Sequence, residues 1–333
     1  MNGRKRLGVA VVGLLVACVA ATAFAAPLKI GICKIMDHPA LNAVEQGTID
    51  ALTAAGYIAG VDVEYVIGDA QGDPNNATPI AQNYAAQGVA LVVAISTPMA
   101  LAAVEVFDGT DVPIVFSAIT NPLAAELVLG DTDPSQNGNV TGVSDLIDVG
   151  KDLALLKELD PAIQRIGLVY NPGEANSDLL TGNALAAAPG LGLTIVTAVA
   201  DTTANVPMAA QSLIGRVDAF YVTTDNTVVS AIDAIISAAE EAGVPFLMAD
   251  PTSLEFGPVI ATGHDYYEHG LLTGDIVLQI LGGAAPNEIP VVYQKDPEVF
   301  LNLDAAAAIG LAFPQSVIDQ AAGIYFAGTT WSR

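Results

Sequence analysis

Residues 28–55, LKIGICKIMDHPALNAVEQGTIDALTAA, encode a strand, a polar loop and a helix in succession. Leu28–Lys34 is an apolar, β-branched run, which predicts a strand. Residues 42–55 place apolar side chains on one face, which predicts an amphipathic helix. Asp37, His38 and Pro39 lie in the loop between these elements. Such units build parallel α/β sheets, and ligands bind in these sheets outside the carboxyl ends of the strands.

The same alternation continues along the chain and predicts an α/β protein with two doubly wound, Rossmann-like lobes, parallel sheets and a hinge. The predicted strands are 61–67, 91–95, 114–116, 165–170, 193–199, 219–222, 245–248, 259–261, 291–293 and 299–302. The predicted helices are 78–86, 98–106, 123–127, 151–159, 174–187, 206–214, 228–242, 266–281, 305–309 and 316–321. The turn-rich stretch 131–142 interrupts the pattern, which then restarts.

Composition and charge exclude several classes of protein. Of the 333 residues, 52% are hydrophobic and 14% are charged, which indicates a well-buried globular protein. Lys and Arg number 11 against 36 Asp and Glu, so the formal net charge is −25. This acidic field argues against nucleic acid, whose phosphates need basic partners, and against anionic membrane surfaces. We interpret the charge as a solvated surface that keeps an exported protein soluble.

The chain begins with the pattern of an export signal. Residues 1–6 are basic, residues 7–19 are apolar, and residues 23–25, AFA, form a small-residue cleavage pattern. We expect residues 1–25 to be removed and the mature protein to be periplasmic. Cys18, at the end of LVAC, fits a second route, in which this cysteine is acylated and anchors the chain to lipid.

Signatures of common enzyme classes are absent. The sequence has no G-x-S-x-G, G-x-x-x-x-G-K-[ST] or H-E-x-x-H motif. His264 and His269 flank acidic residues, but their spacing fits no metal-site pattern, and we expect a surface or hinge role. Cys33 is expected to be a small buried hydrophobe. We therefore predict no catalysis, no cofactor and no metal.

Polar residues follow the predicted strands of the first half. They are His38, Pro39, Ser96, Thr97, Ser117, Thr120 and Asn121. Helix starts attract carboxylates through free N–H groups and the helix dipole, and hydroxyl groups add donors. Helix capping is the alternative role of each Ser and Thr. Because several helix starts carry such residues, we predict a cleft that holds a small molecule.

Acidic and amide residues follow the strands of the second half. The candidate site residues there are Tyr170, Asn171, Glu174, Asn176, Ser177, Thr224, Asp225, Asn226, Asp250 and Asp265. A zwitterionic amino acid needs a carboxylate near its ammonium group, because a desolvated cation must be paired. Asp225 is the first candidate for that partner, and an N-cap of the next helix is its alternative role. Tyr170, Phe116 and Tyr266 are candidates to flank an apolar or aromatic ligand body, although Phe116 is more typical of a core.

The order of the loop motifs resembles that of solute-binding proteins of ABC importers. The motifs are GICKIMDHPALNA, GDAQGDPNNATPIAQ, AISTPMALAA, PIVFSAITNP, GNVTGVSDL, RIGLVYNPGEANS, AFYVTTDNTVVSA and DYYEHG, and they span about residues 28–321. The similar subfamily has a type 1 periplasmic-binding-protein fold and ligands that include aromatic amino acids such as tryptophan. The resemblance implies two lobes that close on a small amino-acid-like ligand, which we expect to be an aromatic or other apolar amino acid, and deliver it to ABC permease and ATPase subunits. We expect the protein to be a monomer.

The resemblance also implies roles for individual residues and limits for the lobes. The family's loop positions are His38, Pro39, Thr97, Thr120, Asn121, Asn171, Glu174, Asn176, Ser177, Asp225 and Asn226. Asn42 and Asn121 stand where the family often has Asp, which removes two negative charges that could face an ammonium group. We expect residues 28–144 with 266–294 to form one lobe and 145–265 with 295–333 the other.

Other ligands and outputs remain alternatives. The solute could be an organic acid, a nucleoside or a sugar, or the protein could sense a ligand without transport. A sugar site would normally show several aromatic faces, whereas the single tryptophan, Trp331, lies in a C-terminal tail that extends beyond the family's usual end.

Overall fold

The structure, a computed structural model, describes residues 26–295 and 297–332. Its strands are β1 (Leu28–Lys34), β2 (Val63–Asp69), β3 (Leu91–Ile95), β4 (Ile114–Ile119), β5 (Val140–Ser144), β6 (Arg165–Tyr170), β7 (Thr194–Val199), β8 (Ala219–Val222), β9 (Phe246–Met248), β10 (Ile260–Gly263), β11 (Val292–Tyr293), β12 (Glu298–Asn302), β13 (Ala321–Phe326) and β14 (Thr329–Ser332). Its helices are α1 (Pro39–Ala54), α2 (Ala77–Gln87), α3 (Thr97–Phe107), α4 (Val149–Leu159), α5 (Ala175–Ala187), α6 (Val206–Gln211), α7 (Asn226–Val229), α8 (Ile232–Ala242), α9 (Tyr266–Leu281), α10 (Leu303–Ala308) and α11 (Gln315–Gln320). The predicted export signal and Cys18 lie outside the described residues.

The first lobe is built on a six-stranded sheet in the order β11-β5-β4-β3-β1-β2. Every neighbouring pair in this sheet is parallel. The strands β3 and β4 are buried along their whole length, as expected at the centre of a parallel sheet that is covered on both faces. The carboxyl ends of β1, β3 and β4 therefore lie along one edge, and the polar loops that follow these strands share it.

The second lobe is built on an eight-stranded sheet in the order β14-β13-β12-β10-β9-β8-β6-β7. Its pairs are parallel except β10 with β12 and β13 with β14, which are antiparallel. The two parallel-rich lobes confirm the predicted fold class. The hairpin of β13 and β14 accounts for the C-terminal tail: it turns at Ala327 and Gly328, both with positive φ, and two-residue turns join only antiparallel strands.

The chain crosses between the two sheets three times. The crossovers follow β5, β10 and β11, because β11 belongs to the first sheet and β12 to the second. The predicted lobe limits at residues 144, 265 and 294 fall at these crossovers. Among the described residues, no helix combines the length and the apolar character needed to cross a bilayer.

Three predictions of local structure differ from the fold. Residues 123–127 form turns, so the predicted helix there is wrong; Glu126 adopts a left-handed φ of 57°, which a helix does not allow. The helix predicted at 228–242 is divided into α7 and α8, because Ala231, with φ −123° and ψ 33°, leaves the helical region. The stretch 131–142, predicted to consist of turns, contains the first three residues of strand β5, which the sequence pattern did not predict.

Helices α1 and α9 touch through their backbones. A Cβ atom on Gly47 would lie 2.3 Å from the carbonyl oxygen of Tyr267, and one on Gly270 would lie 2.4 Å from that of Val44. Any larger residue would therefore push the helices apart. This contact fixes the two helices to each other. Helix α1 begins at the sheet edge that carries the polar loops, and α9 begins at the crossover that follows β10.

The core of the first lobe contains Cys33, as predicted. Its side chain is 1% exposed, and its thiol donates a hydrogen bond to the carbonyl oxygen of Val93 on the neighbouring strand β3. Burial raises the pKa of the Cys33 thiol to about 12. The thiol is therefore protonated and packed like a small apolar side chain.

Candidate functional site

A cavity between the lobes holds about 460 Å³ of space, part of it open to solvent. Small-molecule sites in proteins commonly have volumes of roughly 300–1,000 Å³. The cavity is lined by Met36, His38, Ala40, Leu41, Thr97, Ala118, Thr120, Asp145, Asn176, Thr224, Asn226, Val229, Asp250 and Tyr266. These residues come from both lobes and from the crossovers, so the cavity has the place and size of a ligand cleft.

His38 stands at the start of α1 on the first lobe. Its Nδ1 accepts the backbone N–H of Ala40 at 3.3 Å, so in the neutral ring the proton is on Nε2. That Nε2 lies 3.9 Å from Oδ2 of Asp250, which belongs to the second lobe. Burial lowers the pKa of His38, and the carboxylates of Asp250 and Asp37 oppose this shift. The imidazole and the carboxylate thus face each other across the cleft.

Two threonines complete the polar wall of the first lobe. Thr97 is the first residue of α3, and Thr120 follows β4. Oγ1 of Thr120 lies 3.4 Å from Oγ1 of Thr224, a hydrogen bond that joins the two lobes. The start of α3 has the free N–H groups of any helix start, so this wall supplies donors without a basic side chain.

Asp145 lies at the first crossover and is 3% exposed. Its Oδ2 accepts the hydroxyl of Tyr266 at 3.0 Å. Its Oδ1 is buried and has no hydrogen-bond partner within residues 26–295 and 297–332. Burial raises the pKa of Tyr266 well above its usual range, and the Asp145 charge adds to the shift. A buried carboxylate oxygen without a donor is destabilising, so this position is suited to a donor from a ligand.

Asn176 offers a second open acceptor from the second lobe. Its Nδ2 donates to the carbonyl oxygen of Thr224 at 2.8 Å, which fixes the amide. Its Oδ1 is buried and has no partner in the described part of the chain. Asn226 lies beside it and donates through Nδ2 to Oε2 of Glu174 at 2.6 Å. The two amide side chains in the wall of the second lobe, Asn176 and Asn226, are therefore held in place by hydrogen bonds to groups of their own lobe.

Two buried carboxylates lie behind this wall. Glu174 accepts four hydrogen bonds from the backbones and side chains of Asn226 and Thr227. Asp225 accepts from the N–H of Asn171 at 2.6 Å, the hydroxyl of Ser177 at 2.5 Å and the N–H of Val228 at 2.9 Å. Burial, and after it the charge of the neighbouring Glu174, raise the pKa of Asp225 to about 7. Asp225 does not reach the cavity wall, and its observed role is the alternative, an N-cap of α7.

The predicted site residues divide into two groups. The cavity wall contains His38, Thr97, Thr120, Asn176, Thr224, Asn226 and Asp250. The cavity wall does not contain Pro39, Ser96, Ser117, Asn121, Tyr170, Asn171, Glu174, Ser177, Asp225 and Asp265. Several residues of the second group make structural hydrogen bonds near the cavity instead. Asp265, for example, is exposed and caps α9 by accepting the N–H groups of Tyr267 and Glu268, and Ser117 is bonded to Thr273.

Aromatic candidates also divide. Tyr266 lines the cavity, as the sequence suggested. Tyr170 packs against the core of the second lobe, and Phe116 is fully buried in the core of the first. The expectation that Phe116 belongs to the core is confirmed.

Sequence reasoning missed Asp145, Ala118, Val229 and three apolar neighbours of the first loop, Met36, Ala40 and Leu41. Asp145 follows β5 directly, so recognition of that strand would have added it to the strand-end candidates. The apolar residues carry no sequence signal that separates a cavity wall from a core.

The two histidines near α9 are not on the surface. His264 and His269 are 2% and 0% exposed, so the surface alternative is wrong, and both lie beside the crossovers. Within the described ranges, no group of three or more His, Cys, Asp or Glu residues is arranged to hold a metal ion.

Comparison with known proteins gives relatives over almost the whole chain. Residues 29–324 match the family described as ABC transporter substrate binding protein. A tyrosine-binding protein of Clostridioides difficile strain R20291 is 32% identical over 284 residues, which are 85% of this chain and 81% of that protein. The chain thus has a curated relative of nearly equal extent.

Solved structures show the same fold and indicate how the lobes are arranged. An ABC domain from Streptococcus pneumonia in complex with L-Trp has a TM-score of 0.85 at 29% identity, covering 90% of this chain and all of that one. A ligand-free, open substrate binding protein from Clostridium difficile scores only 0.65 at 33% identity, covering 86% of this chain and 96% of that one. The lobes of this structure are therefore arranged more like the complex than the open form. Sequence match and fold agree that the chain belongs to the ABC transporter substrate binding protein family.

Proposed function

We propose that this protein is the extracytoplasmic solute-binding component of an ABC importer and that it binds an aromatic amino acid between its lobes without catalysis. The observation that carries the proposal is the pair of buried acceptors, Oδ1 of Asp145 and Oδ1 of Asn176, which lack partners in the described chain and belong to residues of the cavity wall. A zwitterionic amino acid supplies the donors that these atoms need.

The ammonium end of the ligand binds at these two acceptors. An ammonium group has three donors and a positive charge, and the carboxylate of Asp145 supplies the opposite charge. No Lys or Arg is among the described residues that line the cavity. The buried carboxylate therefore needs a cation from the ligand, which favours an amino acid over an organic acid.

The carboxylate end binds at the first lobe. The start of α3 at Thr97 and the hydroxyl of Thr120 provide donors and a favourable dipole for an anion. The two ends of the zwitterion thus contact opposite walls, so a bound ligand holds the lobes together.

The side chain of the ligand binds against the apolar part of the wall. Met36, Leu41, Val229 and Tyr266 give this part a mixed aliphatic and aromatic surface. Two relatives support an aromatic side chain, since one is named for tyrosine and another is in complex with L-Trp.

Closure of the lobes provides selectivity. The Thr120–Thr224 hydrogen bond and the His38–Asp250 approach join the lobes in this arrangement. A ligand shifts a protein toward the closed state by as much as it prefers that state. The permease recognises the closed monomer, and the N-terminal signal pattern supports a position outside the cytoplasm.

Thermal-shift screening tests the ligand class. The purified protein is unfolded and refolded to remove carried-over ligand, and then heated with amino acids, organic acids, nucleosides and sugars. A ligand at a hundred times its Kd stabilises the folded state by about 2.7 kcal/mol, which is readily measured. We expect a shift with L-Trp, L-Tyr or L-Phe. A response confined to sugars, nucleosides or organic acids would contradict the proposal.

Uptake separates transport from sensing. Cells that lack the gene should lose high-affinity uptake of the labelled amino acid, and a copy that cannot bind the ligand should not restore it. Undiminished uptake in the deletion strain would leave a binding protein that senses without transport.

A further inference from the structure

Strand β4 contains a bulge at the edge of the cavity. The pairing of β4 with β5 joins Phe116 to Gly142 and then Ile119 to Ser144, so β4 has one more residue than its partner. Ala118 in the bulge has a φ of 53°, in the left-handed region that is costly for a residue with a Cβ atom. A bulge leaves a backbone group outside the ladder and redirects the chain. Here it directs Ala118 and Thr120 to the cavity wall.

His269 accepts the N–H group that the bulge releases. The N–H of Ala118 donates to Nε2 of His269 at 2.9 Å, and His269 is fully buried on α9. A backbone N–H can only donate, so Nε2 must be the unprotonated nitrogen. The proton of the neutral ring is therefore on Nδ1, which lies 2.7 Å from Oε1 of Gln294. Burial lowers the pKa of His269, which agrees with a neutral ring.

The same network reaches all three crossovers. Gln294, which follows β11, donates through Nε2 to the carbonyl oxygen of Asp265 at 3.0 Å and through its backbone N–H to that of Ser144 at 3.1 Å. Ser144, Asp265 and Gln294 stand at the first, second and third crossovers. The His269 imidazole thus links Ala118 in the cavity wall, through Gln294, to the three segments that cross between the lobes. Ser117, also in the bulge, contacts the same helix through a hydroxyl contact of 2.7 Å with Thr273.

We propose that His269 is a positioning residue for ligand binding: its neutral Nδ1–H ring holds the β4 bulge in the left-handed conformation that presents Ala118 and Thr120 to the ligand, and couples this conformation to the crossovers. The inference rests on the proposed function, because it concerns the same site. The group acts through Ala118 and does not itself line the cavity.

Nitrogen NMR tests the tautomer without any ligand. In protein labelled with ¹⁵N at histidine, long-range proton–nitrogen spectra distinguish protonated from unprotonated ring nitrogens. We expect His269 to show Nδ1 protonated and Nε2 unprotonated. A ring with its proton on Nε2 could not accept from Ala118, and would overturn the proposal even if the protein binds amino acids as proposed.

Matched variants test the role in binding. His269→Gln places an oxygen the same number of bonds from Cα as Nε2, whereas in His269→Asn the oxygen is one bond too short to reach Ala118. Calorimetric titration with L-tyrosine and L-tryptophan should show His269→Asn at least tenfold weaker than wild type, because the bulge loses the bond that holds its left-handed conformation, and His269→Gln, which keeps an acceptor for Ala118, clearly closer to the wild-type Kd. Equal affinities for the two variants, both folded by circular dichroism, would overturn the proposal.

A second substitution in the bulge makes the test specific. Ala118→Gly removes the Cβ that opposes a positive φ, so the bulge no longer depends on His269 for its conformation. In the His269→Asn background, Ala118→Gly should recover part of the lost affinity, measured against the Kd of the Ala118→Gly single variant. Failure to recover affinity would show that His269 affects binding only through general stability. If the wild type binds neither amino acid, the proposed function fails, and the NMR result still decides the tautomer.

Discussion

The two walls of the cleft are built from different chemistry. The first lobe presents hydroxyl groups and helix starts, and its buried polar side chains, such as Thr97, Ser117 and Thr120, are uncharged. The second lobe buries the carboxylates of Asp152, Glu174, Asp225 and Asp250. A zwitterion with its carboxylate toward the first lobe and its ammonium group toward the second would match this difference.

The carboxylates of the second lobe nevertheless differ from that of Asp145 in one respect. Glu174, Asp225 and Asp250 each accept backbone N–H groups and hydroxyls of their own lobe. Asp145, at the crossover, keeps one oxygen without a donor in the described chain. The number of acids near a cleft therefore does not by itself point to a ligand-binding acid; an oxygen without a donor, as in Asp145, is the more specific signal.

The largest expected effect is on folding, at Asp225. Asp225→Ala leaves the N–H groups of Asn171 and Val228 and the hydroxyl of Ser177 without their acceptor, and each unsatisfied buried group costs about 1–3 kcal/mol. We expect the free energy of unfolding in urea to fall by roughly 4 kcal/mol. Asp233→Ala, on the exposed face of α8, is the control and should change little. Normal stability with lost affinity would instead return Asp225 to the role of ammonium partner.

The next effect is on binding, at Asp145. Asp145→Asn keeps an acceptor for the Tyr266 hydroxyl but removes the charge, and loss of a buried charge partner costs about 2–5 kcal/mol. We expect the Kd for the amino acid to rise by roughly a hundredfold or more in calorimetric titration. Asp131→Asn is a matched control, because Asp131 accepts the hydroxyl of Tyr293 at the same 3.0 Å away from the cavity. If both variants bind equally well, the ammonium site lies elsewhere.

A third effect concerns pH and the second lobe alone. Burial raises the pKa of Asp152 to about 6, and the hydroxyl of Tyr221 bonded to Oδ2 opposes the shift. The folded state holds this proton more tightly than the unfolded state, whose Asp pKa is about 3.9. Asp152 therefore favours folding most below pH 4, and this contribution is lost as the pH rises to about 6, by about 3 kcal/mol in total.

The variant Asp152→Asn should lack this slope. Measured by urea unfolding, the stability of the wild type relative to Asp152→Asn should be greater at pH 4 than at pH 7 by about 2 kcal/mol, because the carboxyl of the unfolded chain is already half ionised at pH 4. Parallel pH profiles for the two proteins would mean that folding does not raise the pKa of Asp152. The buried polar side chains of the first lobe supply no equivalent carboxylate among the described residues.

The smallest effect is at the hydroxyl wall. Thr120→Val removes one donor to the ligand and the contact with Thr224 while keeping the shape of the side chain. One neutral hydrogen bond contributes about 1 kcal/mol, so the Kd should rise about fivefold. A change as large as that of Asp145→Asn would mean that the first lobe, and not the crossover, dominates recognition.

Sequence reasoning found the edge of the sheet but not the roles of the residues on it. His38 and Thr97 could be placed because they follow strands with a clear apolar pattern. Asp145 could not be placed in this way, because the turn-rich residues before it gave no pattern by which β5 could be recognised. Asp225 lies near the cleft, as expected, but it is not placed to pair with an ammonium group. Its carboxylate accepts hydrogen bonds from Asn171 and Ser177, which are 54 and 48 residues away in the chain. Such long-range satisfaction of acceptors leaves no local pattern.

The burial of Cys33 makes the alkylation rate of its thiol a measure of how often the surrounding structure opens. Alkylating reagents attack the thiolate, and here the thiol is both covered and held protonated. Modification therefore requires an opening of the structure that exposes Cys33 to solvent. Because Cys33 belongs to the first lobe, its alkylation rate measures how often that lobe opens, independently of the movement between lobes. The same protection would spare the thiol from oxidation in an extracytoplasmic compartment.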